Sequence, residues 1–419
     1  MTTTSSNRLT PKLTTSVIRW LLDSDPSIRW QVMRDLIGTQ EDEVSAERAK
    51  IATEGWGFQL LSQQSPNGYW GGAAWNRGWN STMHVLMLLR DLGLDPASDQ
   101  ARSAVDLVRD RVTWKGCGPQ ECDDNPFFAG EIEPCINAQV ATVGAYFCQD
   151  VQSIVDKLLA EQLPDGGWNC EAANGSTRSS FNTTICVLEA LLEHERSIAA
   201  NSKATAARLR GQEYLLARRL FRRLSTGEVI ERDRKGDASW MRFAFPTWWH
   251  YDVLRGLDYL RSAGVAPDEC VTEAINLIAS KCDDDGRWRL ENQYPGTMLV
   301  QIDEGVGRPS RWNTLRALRV LKWYSGGDYY SRSWGLRGKP MWTNLNNGAK
   351  QIDLLPAAAT VFRHPFYKCR LTVLDSTADW QNSVTTFRRG SGSLEYVSTL
   401  FSDYVTSRIR LCTRIDQMA

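Results

Sequence analysis

The sequence lacks an excess of charge of either sign: 49 Lys and Arg residues balance 49 Asp and Glu residues in a chain of 419. A formally neutral chain has no overall attraction for nucleic acid, so we exclude nucleic acid as a general partner. It also has no apolar run near the roughly 18 residues of a transmembrane helix. Residues 1–13 are rich in Ser and Thr and have no apolar core of a secretory signal. We therefore expect a cytoplasmic protein with a disordered tail at residues 1–13.

Clustered cysteines are missing too. The 10 Cys residues are scattered along the chain, which favours reduced thiols over a disulfide framework. Tryptophan, in contrast, is abundant, with 17 residues, and 42% of the chain is hydrophobic. This composition is typical of a globular protein with a large core.

Three similar turns recur along the sequence. They read QSPNGYW at residues 64–70, QLPDGGW at 162–168 and KCDDDGRW at 281–288. In each, Asn or Asp before Gly supplies turn geometry, and a Trp two residues later can fold back over the preceding helix. A recurring unit of this kind indicates a repeat architecture.

Helical segments of two kinds alternate around these turns. Runs such as FNTTICVLEAL at residues 181–191 are apolar almost all round, whereas residues 98–112 have one charged face. The first kind predicts buried inner helices and the second predicts outer helices. We count six of each, which predicts an all-α fold, an (α/α)6 toroid of six helical hairpins over residues 14–324. Residues 325–419 do not repeat the unit, and we expect an irregular C-terminal extension there.

The predicted bounds follow from these patterns. Inner helices should begin near residues 27, 80, 136, 181, 249 and 311. Outer helices should occupy about residues 14–23, 44–63, 98–112, 151–162, 204–221 and 267–281.

The turns resemble the prenyltransferase/squalene oxidase repeats of terpenoid cyclase and protein prenyltransferase toroids. The segments GEIEPCIN, DGGWNCE, FPTWWHYDVLRGLDYL and GRPSRWNTLRALRVL are similar to those of single-toroid squalene cyclase-like proteins, a group without an established reaction. The resemblance covers about residues 14–324. It implies a toroid whose inner helices are parallel, with their N-termini at one mouth of a central cavity.

That mouth is the predicted binding site. Helix N-termini favour an anionic group such as a diphosphate, and aromatic side chains suit an isoprenoid chain or another hydrophobic small molecule. The predicted substrate-binding residues are Trp79, Asn80, Asn182, Trp249, Tyr251, Arg311, Trp312 and Asn313. The alternative is that these residues only cap helices and fill the core.

The resemblance also implies a candidate zinc site. Prenyltransferases bind zinc through an acid-x-Cys tip and an aromatic-His-Thr tip. Glu133 and Cys135 match the first tip, but Asn182 stands where the second has His. Cys170 or His250 would then complete a three-ligand set, and we select Cys170, with one coordination position left open. The alternative is that Cys135 is a small buried hydrophobic residue.

A cyclase would need a strong acid instead. The Asp-x-Asp-Asp motif of squalene-hopene cyclases is absent, and the carboxylate nearest to the right place is Asp252, beside His250. A contact between these two side chains would tune the proton affinity of either. The alternative is that Asp252 caps a helix. The candidate catalytic residues are therefore Asp252, His250, Glu133 and Cys135.

The resulting hypothesis is an isoprenoid-handling enzyme, either a terpenoid cyclase or prenyltransferase-like, acting in the toroid cavity. Because a fold does not dictate a function, a non-catalytic toroid that binds a lipid or a protein is the alternative. A third hypothesis is a carbohydrate-active (α/α)6 barrel, which needs two carboxylates across a cleft.

Overall fold

The computed structural model describes residues 15–115, 124–197, 201–230 and 240–326, and the backbone of a short antiparallel ladder. The chain forms two compact units, residues 1–337 and 338–419. The ladder pairs β1 (Arg388–Arg389) with β2 (Gly392–Ser393) in the second unit. The tail predicted at residues 1–13 and most of the predicted extension lie outside the described residues.

The described part of the first unit is helical. Its helices are α1 Thr15–Leu22, α2 Pro26–Val32, α3 Glu41–Ala49, α4 Gly55–Leu61, α5 Thr82–Leu92, α6 Asp99–Arg111, α7 Pro134–Tyr146, α8 Gln152–Ala160, α9 Phe181–Ser197, α10 Ser202–Leu216, α11 Val253–Ser262, α12 Glu269–Ser280 and α13 Arg311–Tyr324. A π-helical turn, Met33–Ile37, continues α2. None of the helices described is long and apolar enough to span a bilayer.

Six of these helices, α2, α5, α7, α9, α11 and α13, form a closed inner ring. Direct packing joins α5 to α7, α7 to α9, α11 to α13 and α13 back to α2. The indole of Trp30 in α2 donates to Leu92 O in α5 (2.9 Å), and Arg255 in α11 pairs with Glu189 in α9 (2.7 Å). The remaining helices pack outside the ring, as an (α/α)6 toroid requires. The predicted all-α fold is confirmed.

The helices begin close to the predicted positions, with one difference in the outer layer. The segment predicted as one helix over 44–63 is two helices, α3 and α4. Asp25, from the turn before α2, caps the start of the second. Its carboxylate accepts hydrogen bonds from Ser27 N and from Trp56 N, both 2.8 Å, and so caps α2 and α4 together. A Cβ on Gly55 would lie 2.0 Å from this carboxylate, so only glycine allows the approach.

The recurring turn joins an outer helix to the next inner helix. The indoles of Trp70, Trp168 and Trp288 are fully buried. Each donates to the carbonyl ten residues earlier in the outer helix, at 2.7–2.8 Å. The backbone N–H of each Trp donates to a threonine hydroxyl in the following inner helix; these threonines are Thr82, Thr184 and Thr314. Buried polar groups need partners, and this arrangement satisfies them three times in the same way.

In two of the turns, the glycine brings the backbone close to the next outer helix. Gly166 has φ +96°, and a Cβ there would lie 2.7 Å from Arg210 O in α10. Gly68 is equivalent, with Leu107 O of α6 at 2.5 Å from the added Cβ. The side-chain amide of Gln162 joins the turn to α10, because its Nε2 donates to Gly166 O and to Ala207 O (2.7 and 2.8 Å).

Candidate metal and substrate site

Residues at or just before the starts of α5, α9 and α13 contact the segment 240–252 at one end of the ring, and we call this end the N-terminal rim. Trp248 stacks on Trp79, which precedes α5, with 5.2 Å between ring centroids. Tyr251 N donates to Asn182 Oδ1 in the first turn of α9 (2.8 Å). Residues predicted at the mouth from distant parts of the sequence therefore lie on neighbouring elements.

Glu133, Cys135 and Cys170 come together at this rim. One potential ligand atom from each lies within 4.8 Å of the other two. Glu133 is the N-cap of α7 and Cys135 lies in its first turn, whereas Cys170 begins the 3-10 turn that follows Trp168. Glu133 is exposed, Cys170 is half-buried and Cys135 is buried. The cluster is therefore open to solvent on its Glu133 side.

The two thiols of the cluster are electrostatically unequal. The Cys135 thiol donates to Glu133 Oε2 (3.7 Å), and it also interacts with the Cys170 sulfur. This interaction lowers the pKa of Cys170, whereas the same interaction, together with burial, raises the pKa of Cys135 well above its ordinary value. Thr183 Oγ1 also donates to Cys170 Sγ (3.4 Å). Because thiolates are the nucleophiles and metal ligands, Cys170 is the thiol that ionises first.

Hydrogen bonds hold the tip of α7 that carries Glu133 and Cys135. The buried carboxylate of Glu131 accepts from Glu133 N (2.7 Å). Asn137 Oδ1 accepts from Glu131 N, and Asn137 Nδ2 donates to Glu131 O, both at 2.8 Å. Lys157 Nζ also donates to Glu131 O (3.0 Å). The tip is therefore fixed from inside, which pre-orients the first two donors.

Asn182 and His250 do not belong to the donor cluster. Asn182 uses its carbonyl oxygen to tie α9 to Tyr251 N. The His250 ring is stacked between Trp249 and Tyr294, with ring centroids at 3.6 and 3.4 Å. Burial lowers the pKa of His250 to about 3, so its ring is neutral at physiological pH.

Asp252 is the N-cap of α11. Its Oδ1 accepts from Arg255 N (2.7 Å) and its Oδ2 from Ala244 N (3.2 Å). Oδ1 also lies 3.9 Å from the Arg316 guanidinium. Burial raises the pKa of Asp252, while Arg316 opposes the shift. The hydrogen bond of His250 Nδ1 goes instead to Thr247 O (3.3 Å), so the expected His250–Asp252 contact is replaced by separate backbone partners.

An aromatic pocket lies beside Trp79 at the rim. Trp79, Trp248 and Tyr294 are among the residues that line a cavity of about 10 Å³, which has room for roughly one water molecule. Residues 293–298 cover it, since the Trp79 indole donates to Pro295 O (2.6 Å). His84 packs edge-on against both Trp79 and Trp248, and its Nε2 is buried without a hydrogen-bond partner among the residues described.

The other predicted substrate-binding residues lie in mixed surroundings. Trp312 is buried and stacks on Phe245 at 4.3 Å, whereas Asn313 bonds backbone carbonyls beneath the rim. Asn80 accepts a hydrogen bond from a neighbouring turn residue (2.7 Å). Arg311 lies outside the group, because its guanidinium stacks over Trp20 of α1 and donates to Trp20 O.

Deeper in the ring, ion pairs occupy the space between the inner helices. Arg255 donates to both carboxylate oxygens of Glu189 (2.9 and 2.7 Å). Asp258 pairs with Arg319 and lies 3.8 Å from Arg316. These charges come from α9, α11 and α13, so the contact region of these three helices below the rim is polar.

Sequence reasoning assigned no role to four residues of this region: Glu131, Thr183, His84 and Trp248. Trp248 stands in the aromatic doublet TWWH, and His84 lies within the repeated run WNSTMHVLMLL as one of only four histidines. The sequence context of Trp248 and His84 could therefore have indicated that both lie at the mouth. The contacts of Glu131 and Thr183 depend on how α7, α9 and the turn at Cys170 approach each other, for which no local pattern exists.

Fold and site together define the class: an all-α ring of six helical hairpins with a cluster of two thiols and a carboxylate at one rim. A variant of the type II terpene cyclase MstE from Scytonema, in complex with geranylgeranyl dihydroxybenzoate, is similar over 73% of this chain and 87% of its own, with 17% identity and a TM-score of 0.36. An apo variant of the same cyclase matches with 16% identity, 73% and 86% coverage and a TM-score of 0.34. Neither the protein-family models nor the curated proteins give a match.

Proposed function

We propose that this chain is a zinc-dependent enzyme with prenyl-transfer-like chemistry at the N-terminal rim. The observation that carries the proposal is the Glu133–Cys135–Cys170 cluster, whose donor atoms lie within 4.8 Å of one another. Two cysteine sulfurs and a carboxylate oxygen are a donor set that suits zinc. Three protein ligands leave the fourth position open, which is the arrangement of catalytic rather than structural zinc.

When bound, zinc would lower the pKa of a thiol or water molecule that occupies the open position. The protein's own residues hold the metal ligands in position. Glu131 and Asn137 hold the tip of α7, and Thr183 keeps the Cys170 sulfur in place from α9. Such supporting hydrogen bonds fix ligand orientation.

The hydrophobic substrate is expected at the rim rather than along the ring axis. Trp79 and Trp248 are stacked and buried there, and Trp249 is half-buried, whereas the Arg255–Glu189 ion pair lies deeper, between α9 and α11. The N-termini of the inner helices favour a diphosphate at the same end. In the proposed reaction an acceptor thiol sulfur forms a bond to the first carbon of a prenyl diphosphate. The carbon–oxygen bond to the diphosphate breaks, and the thiol proton passes to solvent.

Metal analysis tests the site independently of turnover. The purified full chain should contain close to one zinc per molecule. Cobalt substitution should give the intense thiolate-to-cobalt absorption expected of two sulfur ligands. Cys135→Ser and Cys170→Ser should each reduce zinc binding by at least about tenfold, because loss of even an outer-shell partner of a ligand costs about 10–100-fold in affinity. Cys148→Ser is the matched control, because Cys148 is an exposed cysteine just beyond the other end of α7.

The outcomes separate the parts of the proposal. Wild-type protein that takes up no zinc, or a Cys148→Ser variant that loses as much metal as Cys170→Ser, would contradict the metal site. Incubation with farnesyl and geranylgeranyl diphosphates and a small thiol then tests the reaction. Full metal occupancy without a thioether product would leave a zinc site but reject prenyl transfer.

A non-catalytic binding toroid is the second candidate, and the small volume of the rim cavity favours it. The rim cavity of about 10 Å³ is far smaller than the roughly 300–1,000 Å³ of ordinary ligand pockets. This candidate predicts stoichiometric binding of an isoprenoid lipid or a protein without product formation. Opening of residues 293–298 would show as faster hydrogen exchange there when a lipid is added, and an unchanged exchange pattern would argue against lipid entry at this pocket.

A further inference from the structure

The thiols of Cys135 and Cys170 lie close together at the N-terminal rim, although the two residues belong to different elements. Their sulfur atoms lie within 4.8 Å of one another, one in the first turn of α7 and the other in the turn that follows Trp168. A disulfide has a sulfur–sulfur distance of about 2.05 Å, so the two atoms must approach by less than about 3 Å. Rotation of one cysteine side chain between staggered rotamers moves its sulfur by roughly that distance. A disulfide between these residues is therefore within reach of a side-chain rotation.

The two thiols differ in exposure, which assigns them to different steps of a reaction. Cys170 is half-buried and begins a short 3-10 turn, whereas Cys135 is buried, with 9% of its surface exposed. Glu133 is exposed and leaves this side of the cluster open to solvent. A small dissolved oxidant therefore reaches the Cys170 sulfur first, and the Cys135 sulfur lies behind it.

The hydrogen bonds that hold the two sulfurs are weak. Cys135 Sγ donates to Glu133 Oε2 at 3.7 Å, and Cys170 Sγ accepts from Thr183 Oγ1 at 3.4 Å. Thiols are weak hydrogen-bond donors and acceptors, so both contacts are lost easily when a sulfur forms a covalent bond instead.

A neighbouring thiol, that of Cys186, is placed differently. It is buried, with 1% of its surface exposed. Its Sγ donates to Trp249 O (3.6 Å) and accepts from Gln139 Nε2 (3.8 Å), one helical turn along α7 from Cys135. Because thiol–disulfide exchange requires access to the sulfur, Cys186 is an internal reference for the reaction at Cys170.

We propose that Cys135 and Cys170 are a redox-active pair that exchanges two electrons with a small disulfide such as oxidised glutathione. The Cys170 sulfur attacks one sulfur of the oxidant and loses its proton to solvent, and one glutathione leaves as a thiol after taking up a proton. The Cys135 sulfur then attacks the Cys170 sulfur, also losing its proton, and the second glutathione leaves in the same way. The two cysteines are oxidised to a disulfide, and one molecule of oxidised glutathione is reduced to two thiols.

Oxidation of this pair has a consequence for the metal that rests on the proposed function. The thiolate is the form of cysteine that binds a metal, and a sulfur within a disulfide is no longer a thiolate. Formation of the disulfide would remove two of the three zinc donors and leave Glu133 alone. Reduction would restore both donors, so the pair would switch the metal site on and off with the redox state.

Glutathione buffers of stepped composition test the pair on the purified full chain, reduced and freed of metal with a chelator. Free thiols are then alkylated, and linked peptides are identified by tandem mass spectrometry; trypsin cleaves at Lys157, between the two cysteines. Wild type should give a Cys135–Cys170 link. Cys135→Ser should instead retain glutathione on Cys170, and Cys170→Ser should leave Cys135 as a free thiol. Cys148→Ser is the matched control and should give the wild-type link, because Cys148 is exposed just beyond the other end of α7.

The wild-type chain by itself can refute the pair. The proposal is overturned if Cys170 stays a free thiol or a glutathione adduct in buffers that modify exposed Cys148, or if Cys135 links to Cys186 instead. This measurement needs no variant, so a Cys135→Ser chain that fails to fold does not affect it.

Zinc added before the glutathione buffer separates this proposal from the metal site. At a zinc concentration about ten times its dissociation constant, the link should form about tenfold more slowly, since only metal-free protein reacts. A link that forms in the metal-free chain and is unaffected by zinc would support the redox pair and count against the metal site.

Discussion

Replacing Thr184 with valine tests how the recurring turn holds the ring together. The Thr184 hydroxyl is fully buried and accepts the backbone N–H of Trp168 (3.0 Å). Valine has nearly the same shape but cannot accept a hydrogen bond, so the Trp168 N–H is left buried without a partner. An unsatisfied buried donor costs about 1–3 kcal/mol, and we expect Thr184→Val to lower the free energy of unfolding by that amount.

Urea unfolding followed by tryptophan fluorescence measures the loss, and hydrogen exchange of the peptide containing Trp168 localises it. Thr142→Val is the matched control. Thr142 is equally buried, but its hydroxyl donates to Ala138 O within its own helix (2.8 Å), and this carbonyl keeps its helical partner. The control should cost less than about 1 kcal/mol. Equal losses for both variants, or unchanged exchange at Trp168, would refute the idea that the hydroxyl joins the two helices.

Three further predictions concern charged groups. Asp252→Asn should lower stability by about 1–3 kcal/mol because Asp252 caps α11 and faces Arg316; loss of turnover in a variant of wild-type stability would instead support an acid role. Glu189→Gln should cost about 3–5 kcal/mol in urea unfolding, since it leaves Arg255 buried without its counter-ion, and a neutral result would contradict this. Burial raises the pKa of Asp303 to about 7, so the folded state holds a proton that the unfolded state releases near pH 4. The Asp303 contribution to stability should therefore fall as pH rises from about 4 to 7, and the stability of Asp303→Asn relative to wild type should increase by roughly 2–3 kcal/mol between pH 5 and 8; a pH-independent difference would disprove the shift.

Local patterns in the sequence were sufficient for the architecture and for part of the site. The alternation of apolar and amphipathic segments predicted α9 and α13 from their first residues, because helical periodicity is visible within a dozen residues. The turn that ends at Trp168 was predicted in the same way, from its Asp-Gly-Gly-Trp sequence. The resemblance to prenyltransferase toroids implies Glu133 and Cys135 as metal ligands, with Cys170 or His250 as the third, and the structure places Cys170 beside the first two. Whether they bind a metal stays a prediction.

Contacts between distant elements had no such signature. Asn182 stands at the position of a metal ligand in the resembling enzymes, yet its amide binds Tyr251 N. Arg311 lies at a helix tip, but its side chain turns outward onto Trp20. The division of the outer segment into α3 and α4 depends on Asp25, which lies about thirty residues earlier in the sequence. Each outcome depends on which surfaces meet after the ring closes.

By itself, the sequence determined the number of hairpins and the positions of the turns, because periodicity, glycine and turn residues act over short stretches of chain. Only the tertiary structure decided that α9, α11 and α13 are joined by ion pairs below the rim, that Trp79 and Trp248 stack at the rim and that Glu133, Cys135 and Cys170 meet there. Those properties arise from side chains on different helices, and electrostatic interactions depend on distance and burial in space rather than on separation along the chain.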